Sequence, residues 1–348
     1  MNDGPTTTSG MGTRDVCFRA EGKFAAGSVV VRKALRRSQV LPFFTALPPC
    51  LIGMEACGTS HHWARELTML GHEVRMMPPA YVKPYVKRGK NDAVDAEAIC
   101  EAVTRPTMRF VAMKSAEQQA ALSLHRTRNL LVKQRTQLVN MIRGLLAEFG
   151  IDIPEGLERA LGLARQIAAK EAAPDVPAMA IQILDLLCAQ VLDTHVRLQA
   201  IDRSIGALQR ADDVARRLST IPGIGPVGAT ALAASVADPG QFRSGREFAA
   251  WLGLTPSQNS SGGKDRLGRI TKMGDRYLRK LLVVGATSLI RRARYKPETV
   301  DPRLVALLAR KPVRVASVAM ANKMARVVWA IMARGETYQS RHIPTLAG

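Results

Sequence analysis

The chain has 348 residues, and its 50 Lys and Arg against 29 Asp and Glu give a formal net charge of +21. That length allows two or three domains, and an apolar fraction of 47% is that of a globular protein with a sizeable core. Five scattered cysteines without CxxC spacing argue against a disulfide framework or zinc site, no unbroken apolar run reaches the 18 or so residues of a membrane span, and the cationic excess points to a polyanionic partner.

Residues 1–15 are polar, rich in Gly and Thr and without a signal-peptide core, and are expected to be poorly ordered. Alternating strands and helices begin near Phe24. Ser28–Arg32, with three valines in a row, reads as a strand, and Arg36–Ala46 as a helix. Leu51–Glu55 is a short apolar strand ending in an acid, followed by a helix over Thr59–Leu70 that Gly71 stops. Glu73–Met77 reads as a strand closed by Pro78 and Pro79, Asp92–Val103 as a helix, and Met108–Met113 as a last strand. This order implies a layered α/β domain.

From Ala116 to Phe149 the pattern is one long helix, with Leu124, Leu131, Leu138 and Leu145 every seven residues. A second long helix is expected from about Val176 to Ser219, with Ile181, Leu184, Cys188, Val191, His195, Leu198, Ile205 and Leu208 in three–four spacing, the pattern of a coiled-coil seam. Between them, 150–174 carries the punctuation Ile153-Pro154 and Ala173-Pro174. An antiparallel helical hairpin or an oligomerising arm is the natural reading, with His195 as a core or register residue. The expected domains are 1–115, 116–218 and 219–348; the fold class is α/β followed by all-α.

Three constellations carry chemistry. In Lys90–Glu97, helical spacing sets Asp92 and Asp95 at i and i+3, roughly 5–6 Å apart at Cβ. Carboxylates that close repel unless a cation lies between them, and hard ions such as Mg²⁺ take one or two carboxylates plus substrate phosphates. Glu55, at a strand end in the same α/β region, is the third acid. The second constellation is Ile221–Gly228, which resembles a helix-hairpin-helix turn. Gly223 and Gly225 there would let backbone amides approach a phosphate. The third is Asn259–Lys264, followed by Arg266, Arg269, Lys272, Arg276, Arg279 and Lys280, then Arg291, Arg292 and Arg294; cations at this spacing suit phosphate contacts. Ser261 lies between glycine and cations, but a serine hydroxyl is a weak nucleophile unless activated, and by itself the segment reads better as a flexible linker.

Taken together and in this order, these motifs resemble the DEDD insertion-sequence transposases related to the Piv-type DNA invertase. The resemblance covers Leu51 to about Val283. It implies an N-terminal RNase H/RuvC-like domain, a long coiled-coil arm, and a helical, helix-hairpin-helix-like C-terminal domain with a Ser-Gly motif. It implies Glu55, Asp92 and Asp95 as catalytic ligands of Mg²⁺ and Ser261 as the nucleophile that becomes linked to DNA. The partners implied are DNA (element ends and target), a structured guide RNA from the element, and further copies of the chain as a dimer or tetramer. The expected setting is the bacterial cytoplasm, on the nucleoid, with no membrane. One departure stands out. The family's first acid ends its first strand; here Gly12 falls at that place, so the acid is either Asp15, in a strand shifted by three residues, or absent. Two other readings remain open: a Mg²⁺-dependent RuvC-like endonuclease that uses water, with Ser261 merely in a loop, and a catalytically dead nucleic-acid-binding remnant.

Overall fold

The computed structural model describes residues 8–12, 17–23, 29–86, 92–171, 174–259 and 266–339; side chains are described from residue 33 onward, except 92, 93 and 267. The chain divides into two compact units, one of residues 1–119 with 236–241, the other of residues 120–235 with 242–348.

The first unit is built on a five-stranded sheet. Its strands are β1 (Thr8–Gly12), β2 (Cys17–Lys23), β3 (Val29–Arg36), β4 (Leu51–Glu55) and β5 (Glu73–Met77), in the spatial order β3-β2-β1-β4-β5. β2 is antiparallel to both neighbours, whereas β1, β4 and β5 are mutually parallel. This mixed α/β order, with one antiparallel strand second from the edge, meets the RNase H-like expectation. The helices are α1 (Val40–Thr45), α2 (Ser60–Met69), the single turn α3 (Pro79–Val82) and α4 (Asp92–Val103).

Side-chain alternation along β4 divides the core in two. Ile52 and Met54 turn to one face, into a cluster with Val40, Phe44, Trp63 and Leu67 of α1 and α2. Leu51 and Gly53 turn to the other, where Ile99, Ala102 and Val103 of α4 pack with Met77 and Val82. A β-carbon built on Gly53 would lie 2.9 Å from Val103 Cβ, so glycine lets α4 lie directly on the strand.

Two expectations change. Residues 8–12 form β1, a central strand rather than a poorly ordered tail: its backbone pairs with β2 on one side and β4 on the other. Met108–Met113 is not a strand; Val111 alone makes an isolated bridge to Met76, because the chain passes β5 for a single residue pair.

The second unit is helical: α5 (Ala116–Ala147, entering from the first unit), α6 (Leu157–Ala168), α7 (Ala178–Ala211), α8 (Asp213–Leu218), α9 (Pro226–Ser235), α10 (Gly245–Trp251), α11 (Arg276–Tyr295), α12 (Pro302–Arg310) and α13 (Val313–Arg334), with a small hairpin of β6 (Pro256–Gln258) and β7 (Leu267–Ile270) between α10 and α11. α5 and α7 run antiparallel: Arg128 Nε donates to Asp202 Oδ1 at 2.6 Å, and seven residues on Arg135 Nη1 donates to His195 Nδ1 at 3.1 Å while α7 has stepped seven residues back. His195 thus does register work, as its place in the seam suggested. The expected second helix is split at Asp212, whose extended backbone ends α7 and whose carboxylate caps α8 through the Ala215 N–H. The segment 150–174 holds α6, whose Ala160, Leu161, Ala164 and Ile167 join Val139, Ile142 and Leu146 of α5 and Leu184, Cys188 and Val191 of α7 in one three-helix core. The heptad leucines of α5 are only half-buried or partly exposed beside them.

By length and composition alone α7 and α13 are apolar enough to cross a membrane. In this fold both carry charges, such as Asp185 and Arg197 or Lys323 and Arg326, and both bury one face in the helical core.

Candidate functional site

The candidate acidic residues lie on β4 and α4. Glu55 ends β4 and is half-buried. Alternation puts it on the face of Leu51 and Gly53, the face covered by α4. Asp95 lies one helical turn before Ile99, which touches Gly53, so Asp95 and Ile99 share a stripe of α4. Leu51 packs against the same cluster of Ala98, Ile99, Ala102 and Val103 with Met77 and Val82. Asp92 is the first residue of α4; its side chain lies outside the described residues, as does Asp15. Glu55 thus ends β4 and Asp95 lies in the first turn of α4, the helix packed on that strand, with Asp92 a helical turn from Asp95.

β1 bears on the missing acid. Met11 pairs with Met54, so Gly12 is the residue beside Glu55 and the last of its strand. Gly12 thus holds the place at which the first carboxylate is expected, and no residue within β1 supplies one.

Among the described residues no group of three or more His, Cys, Asp or Glu side chains stands ready to hold a metal ion. The pair that is described offers only carboxylate oxygens, and Asp92 would add another; that donor chemistry fits a hard divalent cation rather than zinc.

The second unit holds the basic elements. Ser261 and Lys264 belong to the link between β6 and β7 and lie outside the described residues. The hairpin that carries them is closed by the Asn259 N–H donating to the Arg266 carbonyl at 2.9 Å, and Ser257 Oγ donates to the Arg269 carbonyl at 3.1 Å. Arg266, Arg269, Lys272 and Arg276 are exposed. Arg279 is not: its Nη1 donates to the carbonyls of Leu252 (2.9 Å) and Met273 (2.7 Å), tying the start of α11 to the α10 end. Gly223 and Gly225 differ as well. Gly223 has φ +85°, and a β-carbon on it would lie 2.9 Å from the Gly285 carbonyl oxygen of α11, so it packs the turn against that helix; Gly225 is exposed, with open space around it.

Sequence reasoning missed one buried polar cluster. His125 of α5 is 1% exposed. Its Nε2 lies 3.0 Å from Thr230 Oγ1 of α9, and its Nδ1 3.2 Å from the Tyr277 hydroxyl of α11. Thr230 already donates its hydroxyl hydrogen to the Pro226 carbonyl, so Nε2 carries the imidazole proton and Nδ1 accepts from Tyr277. Burial, then the nearby Arg128 charge, pushes the His125 pKa down to about 4, and burial raises that of Tyr277. No local signal marks this cluster, since its partners are 105 and 152 residues away in sequence.

Comparison with known proteins decides the family. Residues 25–151 match the DEDD transposase model of the IS110 type, and residues 215–300 match the model described as Transposase IS116/IS110/IS902 family. The chain belongs to the IS110 transposase family. Relatives of this transposase include a Pseudomonas aeruginosa protein named "Probable family 20 transposase", 49% identical over 92% of this chain and 95% of its own length. A Sinorhizobium fredii protein named "Putative transposase y4pF/y4sB" is 47% identical over 95% of this chain and 85% of its own. The "Transposase for insertion sequence element IS1328" of Yersinia enterocolitica is 36% identical over 90% and 92%. The family match supports a DNA-cutting enzyme with DNA as its partner.

Proposed function

We propose that this transposase cuts and rejoins DNA through a covalent phosphoserine link at Ser261, assisted by a divalent cation at Glu55, Asp92 and Asp95, as the Piv-type relation suggests. The observation that supports the reading is that Glu55 ends β4 of an RNase H-like sheet while α4, whose first turn carries Asp92 and Asp95, packs on Gly53 of the same strand. A divalent cation held there would polarise the scissile phosphate and stabilise the departing oxygen. Glu55 and Asp95 would supply the negative charge that holds this cation, and through it the phosphate, inside a strongly cationic protein. In the chemical step the Ser261 Oγ–P bond forms as the P–O bond to the departing sugar breaks. The serine proton ends, in net terms, on the released sugar oxygen. Attack by another sugar hydroxyl reverses the exchange, so the phosphodiester energy is kept without ATP. The reading includes a structured RNA of the element that selects donor and target, and an assembly of several copies; the charge of +21 is compatible with holding both nucleic acids.

The test is a covalent adduct. Full-length protein, element-end DNA and Mg²⁺ should give a denaturant-resistant protein–DNA species that is lost in Ser261→Ala and retained in Ser260→Ala. Cleavage without any adduct would assign the protein instead to water-using nucleases. Gly12 beside Glu55 favours a second reading, a nucleic-acid-binding remnant without chemistry. Strand transfer that disappears in Asp92→Asn excludes it.

A further inference from the structure

Helix α11 carries six Arg or Lys and no Asp or Glu. Two of the cations serve the fold: Arg279 holds the carbonyls described above, and Arg292 Nε donates to Thr299 Oγ1 at 3.1 Å. The other four, Arg276, Lys280, Arg291 and Arg294, are exposed, and none makes an ion pair or side-chain hydrogen bond among the described residues. At 100° per residue all four fall on one side of the helix, opposite the buried Leu278, Leu282 and Gly285. They form a cationic rail about 27 Å long at 1.5 Å per residue.

At the C-terminal end of the rail lies a concavity of about 420 Å³, lined by Thr287, Ile290, Arg291, Arg294, Tyr295 and Val313. Tyr295 is 81% exposed, an unusual position for so large a ring. The lining combines apolar side chains (Ile290, Val313) with two guanidinium groups. The Thr287 hydroxyl donates to the Val283 carbonyl, which leaves its oxygen free to accept. The volume is in the range of small-ligand pockets and far too small for a duplex. An apolar lining, an exposed aromatic ring and cations beside it are the elements by which proteins hold unpaired nucleotides.

We propose that the end of α11 is a subsite for one unpaired nucleotide of a strand whose phosphates follow the rail: Tyr295 stacks on the base, and Arg291 and Arg294 hold the flanking phosphates. This rests on the nucleic-acid-handling function proposed above and adds to it a subsite built from residues other than the acids and Ser261.

Full-length protein would be titrated into labelled 12-nucleotide single-stranded DNA, RNA of the same sequence and the corresponding DNA duplex, reading anisotropy at several salt concentrations. Tyr295→Ala is expected to weaken single-strand binding roughly 5- to 150-fold, the range for loss of one stacked base, and to leave duplex binding unchanged; Tyr295→Phe retains the wild-type affinity. Arg291→Gln with Arg294→Gln should lower the salt slope for single strands by about 1.4. A Tyr295→Ala loss confined to RNA or to DNA supports the subsite and assigns its strand; a loss in both supports a subsite that reads neither sugar. Single-strand affinity unchanged in Tyr295→Ala overturns the subsite, whatever the arginine variants do. If the wild-type protein binds no nucleic acid at all, the function proposed above falls with it; if the Ser261 adduct forms while Tyr295→Ala is silent, only the subsite falls.

Discussion

At the scale of single residues, His125 shows how a packed position fixes a chemical state. Folded, it titrates near 4; unfolded, near 6.5. Between those values the unfolded chain binds more protons, so the stabilisation from keeping the imidazole neutral is complete above about pH 6.5 and is lost as pH falls toward 4. The full difference is on the order of 3 kcal/mol. His125→Gln has no such proton to take up. The expected outcome is that wild-type protein loses more urea resistance between pH 7 and pH 4.5 than the variant does; parallel losses would mean that His125 is charged in the fold. Gly53 is the second such residue. A methyl there meets Val103 and Ile99 at 2.9–3.1 Å, both of them side chains on a helix that the whole core holds in place. Gly53→Ala should cost about 1–3 kcal/mol by overpacking, seen as a lower urea midpoint. Because α4 must move to admit the methyl, Asp95 moves relative to Glu55, and DNA cleavage should fall further than the stability loss accounts for.

At the scale of elements, legibility followed the source of each signal. β4 and β5 were readable to the residue because short apolar runs with polar or proline boundaries mark buried strands. β1 was not, although it lies at the centre of the same sheet. Its sequence, Thr-Ser-Gly-Met-Gly, has one large apolar residue, and α4 lies over β1 as it does over Gly53. Close backbone packing selects glycine, which reads locally as loop. α6 was hidden by the prolines on either side, although Leu157, Ala160, Leu161, Ala164 and Ile167 keep helical spacing. Of the candidate site, Glu55 stood out by its place at a strand end and Asp95 by its i, i+3 spacing from Asp92. The turn at Gly223 was read as a phosphate contact, whereas its conformation is spoken for by α11. Gly223→Ala therefore tests an element contact: a left-handed φ and a clash with the Gly285 carbonyl should together cost more than about 1 kcal/mol, with a lower thermal midpoint in the absence of any nucleic acid. Gly225→Ala, with open space around it, should leave that midpoint unchanged.

At the scale of the whole molecule, the net charge of +21 makes the proposed acidic site an electrostatic exception. Most of the protein's surface field repels a divalent cation. Binding at Glu55, Asp92 and Asp95 must then come from local convergence of carboxylates, which also repel one another when no cation is present. Relief of that repulsion predicts a stability effect independent of catalysis. A ligand that binds only the folded state at tenfold excess over its Kd adds about 1.4 kcal/mol. Mg²⁺ should therefore raise the thermal midpoint of the wild-type protein, and chelation should reverse the rise. Glu55→Gln with Asp95→Asn removes two of the donors and one source of repulsion: its midpoint without metal should equal or exceed that of wild type, and Mg²⁺ should no longer shift it. Ser261→Ala should respond to Mg²⁺ as wild type does, because the serine is not among the proposed ligands. A Mg²⁺ shift of equal size in the carboxylate double variant would place the cation elsewhere. No shift in the wild-type protein would mean that the site gathers a cation only together with the phosphate it acts on, and the same melting series repeated with bound element-end DNA separates those two cases.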